Sequence, residues 1–504
     1  MYSFSSGGAS VHRPFDTPRA FRLLGLHPGP DLDLYAAAAL THTGLDQAQR
    51  LLDLLVRGHL IQPTSPGRYG MHDLLRAYAN DRAAAEDSEN ERRATLTRLF
   101  DHYLATAAAA MDTLHPAEQG HRPRIRPPTT PTPPVPDPPA ARAWLDAERV
   151  TLTTVSAYTA ARGWPGHTTG LATILFRYLE VGGHYPDAVA IHTHALHAAH
   201  DAGGRAGEAH ALTSLGVVYR RQGYYSQAAE HHQQALTLTR EIGDQAGEAN
   251  ALDNLGLVYW LQGHYPQAVD HLQQALALFR EIGDQAGEAN ALDNLGLVYR
   301  RQGYYPQAAD HLQQALALFR EIGHRSGEAY ALDNLGFVYR RQGYYSQAAE
   351  HHQQALALCR ETGYRHGEAD VLDNLGLVYR RQGYYSQAAE HHQHALALFR
   401  EIGERGGEAM ALNGIGETHH AAGHHEQAHA HHGAALTLAT QTGDRYEQAR
   451  AHNGLAHTYH ATGDPDQASH HWRQALVLYT DLGVPEADDV HAHLTGVHSR
   501  GTGR

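Results

Sequence analysis

Arg240 to Tyr259 reads REIGDQAGEANALDNLGLVY, and the same letters return from Arg280 to Tyr299. Outward from this stretch, residues 241–280 and 281–320 differ only at the pairs Trp260/Arg300, Leu261/Arg301, His264/Tyr304 and Val269/Ala309. Such near-identity indicates recent duplication of one unit, and self-similarity at a fixed period is typical of a repeat architecture. The chain of 504 residues is therefore predicted to hold a shorter N-terminal part followed by a long array.

A glycine marks the middle of each unit, between two segments whose apolar residues have helical spacing. In the unit that ends near Gly283, the apolar face of the first helix comprises Leu252, Leu255, Gly256 and Tyr259, and that of the second comprises Ala268, Leu272, Ala275, Leu276 and Leu278. We expect Gly263 to end the first helix in a left-handed conformation. Eight helical hairpins follow from the recurrence of this glycine at Gly183, Gly223, Gly263, Gly303, Gly343, Gly383, Gly423 and Gly463.

These spacings of Leu-Gly-x-x-Tyr, Gly-x-Tyr and Ala-Leu resemble the tetratricopeptide repeat (TPR) motif. Each unit is longer than the usual repeat of about 34 residues, because the second helix continues through residues 279–283. The longer form is similar to the repeats of spindle-orientation adaptors, kinesin light chains and bacterial MalT-like regulators. The resemblance covers residues 168–487 and implies an all-α fold, a right-handed superhelical solenoid whose concave groove binds a protein or peptide.

The N-terminal part has the outline of a winged helix, with helices, a short hairpin and a final helix between about Pro18 and Ala85. Its segments 21–28 and 71–79 resemble the region after the nucleotide-binding module in bacterial NB-ARC/TPR regulators of the STAND class. That resemblance implies that Met71, His72 and Asp73 are a vestigial nucleotide-sensor motif, since the sequence has no phosphate-binding loop and no lysine. The alternative is a strand-to-helix junction in which Asp73 stabilises the first helical turn.

Composition along the chain predicts a series of segments. These are a disordered N-terminus (1–15), a winged-helix-like domain (16–86), a helical connector (87–118), a proline-rich linker (119–140), a helical lead-in (141–167), eight TPR-type repeats (168–487) and a C-terminal tail (488–504). The first and last repeats are the most degenerate, as expected of terminal repeats that have one face in water.

Charge and composition exclude several classes of function. The formal net charge of −14 argues against a nucleic-acid surface, and the presumed DNA-reading helix, 46–56, carries only Arg50 as a base. No apolar run approaches the roughly 18 residues of a membrane span, and residues 1–14 lack the apolar centre of a signal peptide, so we expect a cytoplasmic protein. The single cysteine, Cys359, stands where sister repeats have phenylalanine and is expected to pack rather than react.

Histidine is abundant, with 42 residues, but we predict no metal site, no cofactor and no catalytic residues. The histidine found once per repeat forms a ladder whose members are too far apart to share an ion, because zinc ligands lie about 2.0–2.1 Å from the metal. A local cluster between His419 and His432 has few carboxylate partners, and its metal binding stays an open question. No nucleophile, base and acid recur in the form of a catalytic triad.

The best candidate site is the inner face of the array, where polar residues recur in two ladders. We expect the Asp-Asn pairs to bind the backbone of an extended peptide and the arginines to bind its carboxylates. The alternative is that the asparagine helps to fix the hairpin while Asp and Arg pair across adjacent repeats as a solvated face. The predicted groove residues are Asp253, Asn254, Asp293, Asn294, Asp333, Asn334, Asp373, Asn374, Arg300, Arg301, Arg340, Arg341, Arg380, Arg381 and Trp260, the last within an apolar pocket.

The sequence thus predicts a non-catalytic scaffold or regulatory adaptor with a protein or peptide ligand. The alternative is a remnant or subunit of a nucleotide-switched STAND-type transcriptional or signalling regulator whose ATPase module lies on another chain and acts in trans. A Walker motif in an adjacent reading frame would favour this alternative.

Overall fold

The computed structural model describes residues 17–116, 119, 122–484 and 486–501. The chain divides into two compact units, Met1–Leu114 with His121–Ile174 and His115–Gly120 with Leu175–Arg504. The N-terminus predicted to be disordered, 1–15, lies outside the described residues. None of the described helices is both long and apolar enough to cross a membrane.

The first unit combines helices with a small antiparallel sheet, as the winged-helix-like expectation requires. Its elements are α1 (Thr17–Gly25), β1 (Asp31–Asp33), α2 (Leu34–Thr41), α3 (Leu45–Arg57), β2 (Gln62–Ser65), β3 (Arg68–Gly70), α4 (Asp73–Glu86), α5 (Glu89–Leu114) and α6 (Pro138–Arg162), followed by α7 (Pro165–Val181), which ends in the second unit. The strand order is β1-β3-β2, with Tyr69 opposite both Leu32 and Pro63. Residues 122–137, in the predicted linker, form neither helix nor strand.

A buried polar cluster holds the sheet of the first unit against α5 and α6. His27 Nε2 lies 2.8 Å from the Tyr103 hydroxyl, and the Arg68 guanidinium donates to Asp31 at 2.9 Å and to Glu148 at 3.2 Å. Burial lowers the pKa of His27 to about 3, so the imidazole is neutral at physiological pH. The hydrogen bonds among these buried polar side chains compensate for their loss of contact with water and stabilise the domain.

The second unit is a solenoid of paired helices. After α7, its helices are α8 (Tyr185–Asp201), α9 (Arg205–Arg221), α10 (Tyr225–Ile242), α11 (Gln245–Leu261), α12 (Tyr265–Ile282), α13 (Gln285–Arg301), α14 (Tyr305–Glu321), α15 (Arg325–Arg341), α16 (Tyr345–Thr362), α17 (Arg365–Arg381), α18 (Tyr385–Ile402), α19 (Arg405–Ala421), α20 (His425–Thr442), α21 (Arg445–Thr462), α22 (Pro465–Leu482) and α23 (Glu486–Gly501). Each predicted glycine turn separates two of these helices. One apolar cluster runs continuously from α9 to α21, as stacked repeats require.

The α11–α12 hairpin shows why the repeat folds in this way. Gly263 ends the first helix with φ of 77°, which confirms the predicted left-handed turn. A Cβ on Gly256 would lie 2.5 Å from Leu272 Cγ, so glycine is required where the two helices cross. The sequence placed Leu278 on the buried face of the second helix, but Phe279 is the core residue there, at 2% exposure, and Leu278 only packs partly against it.

The C-terminal segment from 488 onward, predicted to be a tail, is mostly helical. Its described residues belong to α23, which begins at Glu486 and whose Val490 and Leu494 are buried with Trp472 and Tyr479 of α22. Apolar side chains one helical turn apart explain why this segment packs on the last hairpin instead of extending into solvent.

Candidate functional site

The inner face of the solenoid is formed by the first helices of the hairpins, which pack directly on one another from repeat to repeat: α9, α11, α13, α15, α17, α19 and α21. The predicted Asp-Asn ladder lies along this face. Asn294 donates to both carboxylate oxygens of Asp253, at 3.0 and 2.9 Å, and Asn334 donates to those of Asp293, at 3.2 and 2.9 Å. Asn374 continues the ladder to the next repeat.

The ladder residues therefore bond one another across repeats, but as Asp-Asn pairs, whereas the alternative drawn from the sequence paired Asp with Arg. Burial raises the pKa of both Asp253 and Asp293 to about 6, although the asparagine hydrogen bonds oppose this rise. Asp373 is fully buried, at 2% exposure. Asn254, at the start of the ladder, donates to the Asn250 carbonyl of its own helix. These side chains hold neighbouring first helices in register.

Buried histidines in the second helices extend this polar ladder, a feature that the sequence analysis missed. His352 Nδ1 lies 2.7 Å from Asp333 Oδ1, and His392 Nδ1 lies 2.6 Å from Asp373 Oδ1. Both imidazoles have 0% exposure. The signal that could have found them is their register, because Leu272 of a sister repeat occupies the same core position against a glycine.

The first arginines of the predicted Arg-Arg pairs are half-buried: Arg300, Arg340 and Arg380. Arg380 Nη2 lies 2.9 Å from Glu417 Oε2, so its charge is neutralised by the following repeat. The second arginines differ along the array, since Arg301 is half-buried whereas Arg341 and Arg381 are exposed. The arginine ladder is therefore not uniform.

The middle of the arginine ladder is organised by Phe337 of α15. The Cζ of Arg300 lies 3.9 Å from the centroid of the Phe337 ring, and the Cζ of Arg340 lies 4.5 Å from it. Trp260 stands in the same register one repeat before Arg300 and packs partly against the core. Aromatic and charged groups are thus adjacent at the centre of the inner face.

Charged side chains of α19 and α21 form an ionic network near the C-terminal end of the inner face. Arg450 Nε lies 2.6 Å from Glu417, and the Glu447 carboxylate accepts from Asn413 at 2.8 Å. Burial alone would raise the pKa of Glu417, but Arg450 and Arg380 hold it well below its usual value. Burial raises the pKa of Glu447 to about 7. These residues break the repeat pattern in the last hairpins and stabilise their packing.

The once-per-repeat histidines each pack against an aromatic ring of the same hairpin, with centroids 5.0 to 5.5 Å apart. Six pairs are stacked: Tyr219–His231, Tyr259–His271, Tyr299–His311, Tyr379–His391, His419–His431 and Tyr459–His471. The rings of Tyr339 and His351 are tilted by 41°. Across the residues that the structure describes, no three His, Cys, Asp or Glu side chains are arranged to hold a metal ion. Cys359 is buried, at 1% exposure, and burial raises its pKa to about 12, which fits the predicted packing role.

The Met71-His72-Asp73 motif lies at the junction of β3 and α4, in the first unit. His72 is the N-cap residue of α4, and its Nδ1 accepts from the Leu74 amide at 3.3 Å. Met71 is buried, whereas Leu74 is 76% exposed and Tyr78 is 56% exposed. The motif thus begins a helix with an unusually apolar exposed surface.

Comparison with known proteins is consistent with this geometry. The tetratricopeptide repeat family model matches residues 207–281, 247–321, 327–401, 367–441 and 407–481. The chain is 37% identical over 211 residues to the Regulatory protein AfsR of Streptomyces griseus, a match that covers 40% of this chain and 21% of that protein. The chain therefore spans only about a fifth of the length of this relative.

Two solved structures share the fold at low sequence identity. One is a Signal Transduction ATPase with Numerous Domains (STAND) protein with a tetratricopeptide repeat sensor from Pyrococcus horikoshii, with a TM-score of 0.53, 15% identity and coverage of 98% of this chain and 68% of that chain. The other is a Rap protein complexed with Competence and Sporulation Factor, with a TM-score of 0.51, 13% identity and coverage of 76% and 99%. Identities this low indicate a shared fold alone.

Proposed function

The chain belongs to the tetratricopeptide repeat family, and on that premise we propose that its inner face binds a peptide or an extended segment of a protein. The chain then acts as a non-catalytic interaction scaffold or regulatory adaptor. The observation that carries this proposal is the contact of Arg300 and Arg340 with the Phe337 ring, with Trp260 in the same register one repeat before Arg300. These residues offer charge and aromatic surface that no acidic side chain of the described residues neutralises by an ion pair.

The rest of the inner face supports this assignment by its rigidity. The Asp-Asn ladder fixes the spacing of the first helices, so a ligand meets a preorganised surface and loses less binding energy to ordering the protein. The Rap protein with the same fold was solved with Competence and Sporulation Factor, and the Streptomyces relative is a regulatory protein. A ligand-responsive regulatory role agrees with both.

The test is a selection of binding peptides from a random displayed library against the immobilised full chain, followed by hydrogen–deuterium exchange with and without the selected peptide. We expect new protection in α13 and α15. Protection confined to second helices such as α12 and α14 would contradict the proposal, because those helices form the opposite side of each hairpin.

A second candidate function is a STAND-type regulator whose ATPase module is supplied by another chain. The exposure of Leu74 and Tyr78 next to Met71-His72-Asp73 favours it, since apolar surface of this kind is usually covered by a partner. A purified NB-ARC ATPase module from a neighbouring gene should bind the full chain and lose affinity for the Leu74→Asp variant. Equal binding of wild type and variant would exclude this surface as the docking site.

A further inference from the structure

Phe337 is an exception within its register. The equivalent residues of the other repeats are Arg177, Val217, Leu257, Leu297, Leu377, Glu417 and His457. Because α13, α15 and α17 are otherwise nearly identical in this region, one replacement creates an aromatic platform at a single point on the inner face. A phenylalanine found in this register in one repeat alone gives a repetitive surface a unique position, which a ligand could use to fix its register.

The platform holds two guanidinium groups that come from successive repeats. The Cζ atoms of Arg300 and Arg340 both lie within 4.5 Å of the ring centroid. A planar guanidinium on an aromatic ring loses its conformational freedom before a ligand arrives, while the edge of its fork stays available for oxyanions. The arrangement is therefore preorganised for two arginines to act together.

The two guanidiniums have few partners among the residues that the structure describes. Arg300 Nη1 makes one long hydrogen bond to Asn334 Oδ1, at 3.4 Å, and the Nε atoms of Arg300 and Arg340 are buried without a hydrogen-bond partner. Neither forms an ion pair within the described chain, whereas Arg380 of the next repeat is paired with Glu417.

The charged groups around Arg300 and Arg340 are mostly positive as well. Burial lowers the pKa of Arg300 to about 10. Asp293 and Asp333 oppose this shift, whereas Arg301 and Arg341 lower the pKa further. Burial also lowers the pKa of Arg340 to about 10, and the charged neighbours that lower it further are Arg341, Arg381, Arg300 and Arg380. Partly buried positive charge without a counterion favours the binding of an anion.

We propose that Arg300 and Arg340, positioned by Phe337, form an oxyanion clamp that binds a phosphoryl or carboxylate group carried by the peptide ligand. This inference rests on the proposed function, and it names the chemistry that the inner face recognises. The guanidinium forks donate to the oxyanion, and Trp260, in the register of Arg300 one repeat earlier, provides apolar surface for another part of the ligand.

The test uses small probes of defined chemistry on the full chain. N-acetyl-O-phosphoserine amide, N-acetylglutamate amide and N-acetylserine amide are titrated and followed by ligand-observed NMR, and the first two distinguish a phosphoryl from a carboxylate source. We expect at least one anionic probe to bind while the neutral serine probe does not. If neither anionic probe binds better than the neutral one, the clamp is excluded.

Matched variants assign the binding to these residues. Arg340→Gln should lower the affinity for the anionic probe by about tenfold. Arg341→Gln makes the same change of charge at an exposed neighbour and should change that affinity by less than about twofold. Phe337→Leu introduces the residue that sister repeats have at this position, so the variant should fold normally. Because it removes the ring that positions both arginines, it should lower the affinity for the probe by about threefold or more. Equal losses in Arg340→Gln and Arg341→Gln would indicate diffuse attraction and overturn the clamp.

The experiments distinguish a failure of the oxyanion clamp from a failure of peptide binding by the inner face. If the probes do not bind while selected peptides still protect α13 and α15, the clamp is wrong and the peptide-binding face stands. If the probes bind with the expected variant pattern while selected peptides protect only the second helices, the clamp stands and the proposed function is wrong.

Discussion

Asn294 donates its side-chain amide to both carboxylate oxygens of Asp253 in the preceding repeat, at 3.0 and 2.9 Å. This contact joins residues 41 positions apart in the chain, and Asn334 and Asn374 repeat it along the inner face. The polar ladder that the sequence predicted to bind a ligand is therefore a structural element that sets the spacing of the repeats. The proposed ligand recognition is therefore assigned to the residues beside the ladder.

Replacement of Asn294 by alanine should destabilise the array. The Asp253 carboxylate would lose its two hydrogen bonds in a half-buried position, which costs about 1–3 kcal/mol. Urea unfolding followed by circular dichroism measures the change. The control is Asn250→Ala, an exposed side chain that bonds only to the carbonyl of its own helix, with an expected effect within about 0.5 kcal/mol. Equal effects of the two variants would show that the ladder contributes nothing specific.

His232→Leu should stabilise the protein and reduce its sensitivity to acid. Burial lowers the pKa of His232 to about 3, and both ring nitrogens lack a partner among the described residues. Between about pH 6.5 and pH 3 the unfolded state binds a proton that the folded state does not, so stability falls as the pH falls through this window. Leu272 and Leu312 occupy the same position in sister repeats, so the variant should fit.

The measurement is the free energy of unfolding at pH 7.5 and pH 5 for wild type and His232→Leu. The loss between these two values should be about 2 kcal/mol smaller in the variant. An identical pH dependence would mean that His232 is not buried in its neutral form.

Cys359→Phe should destabilise the protein although phenylalanine is the residue of sister repeats. At Gly367 the closest side-chain atoms belong to Tyr364, whereas at Gly287 they belong to Phe279, so the Tyr364 ring already fills the space that the larger residue needs. Overpacking of this kind costs about 1–3 kcal/mol. Adding Tyr364→Asp, the residue found at Asp284, should recover most of the loss in a double-mutant cycle. Additive effects of the two substitutions would contradict this account.

Glu417→Gln should destabilise the last hairpins. The change leaves the Arg380 and Arg450 guanidiniums without their shared counterion in a largely buried position, which costs about 3–5 kcal/mol. The control is Arg400→Gln, which breaks the ion pair between Arg400 and Glu408. The Arg400 side chain is 59% exposed, so its replacement should lower the free energy of unfolding by less than about 0.5 kcal/mol. A small effect of Glu417→Gln would show that the network is solvated.

The helical hairpins could be predicted because their determinants are local. Gly263 and the spacing around Leu272 define the turn and the helix faces within a few residues, and the structure agrees with both. The partners of the site residues could not be predicted, because Asp253 and Asn294 meet only after neighbouring repeats stack. Phe337 could have been noticed by comparing registers, but its contact with two arginines depends on the same stacking.

The most direct measurement for the central claim is the affinity of a selected peptide for three forms of the full chain. These are wild type, the double variant Arg300→Gln/Arg340→Gln of the inner face, and the double variant Arg280→Gln/Arg320→Gln, which removes equal charge from the second helices α12 and α14. We predict at least about a tenfold loss for the first variant and less than about twofold for the second, with unchanged helical circular dichroism. Retained affinity in the inner-face variant together with loss in the second-helix variant would contradict the assignment of the inner face as the binding site.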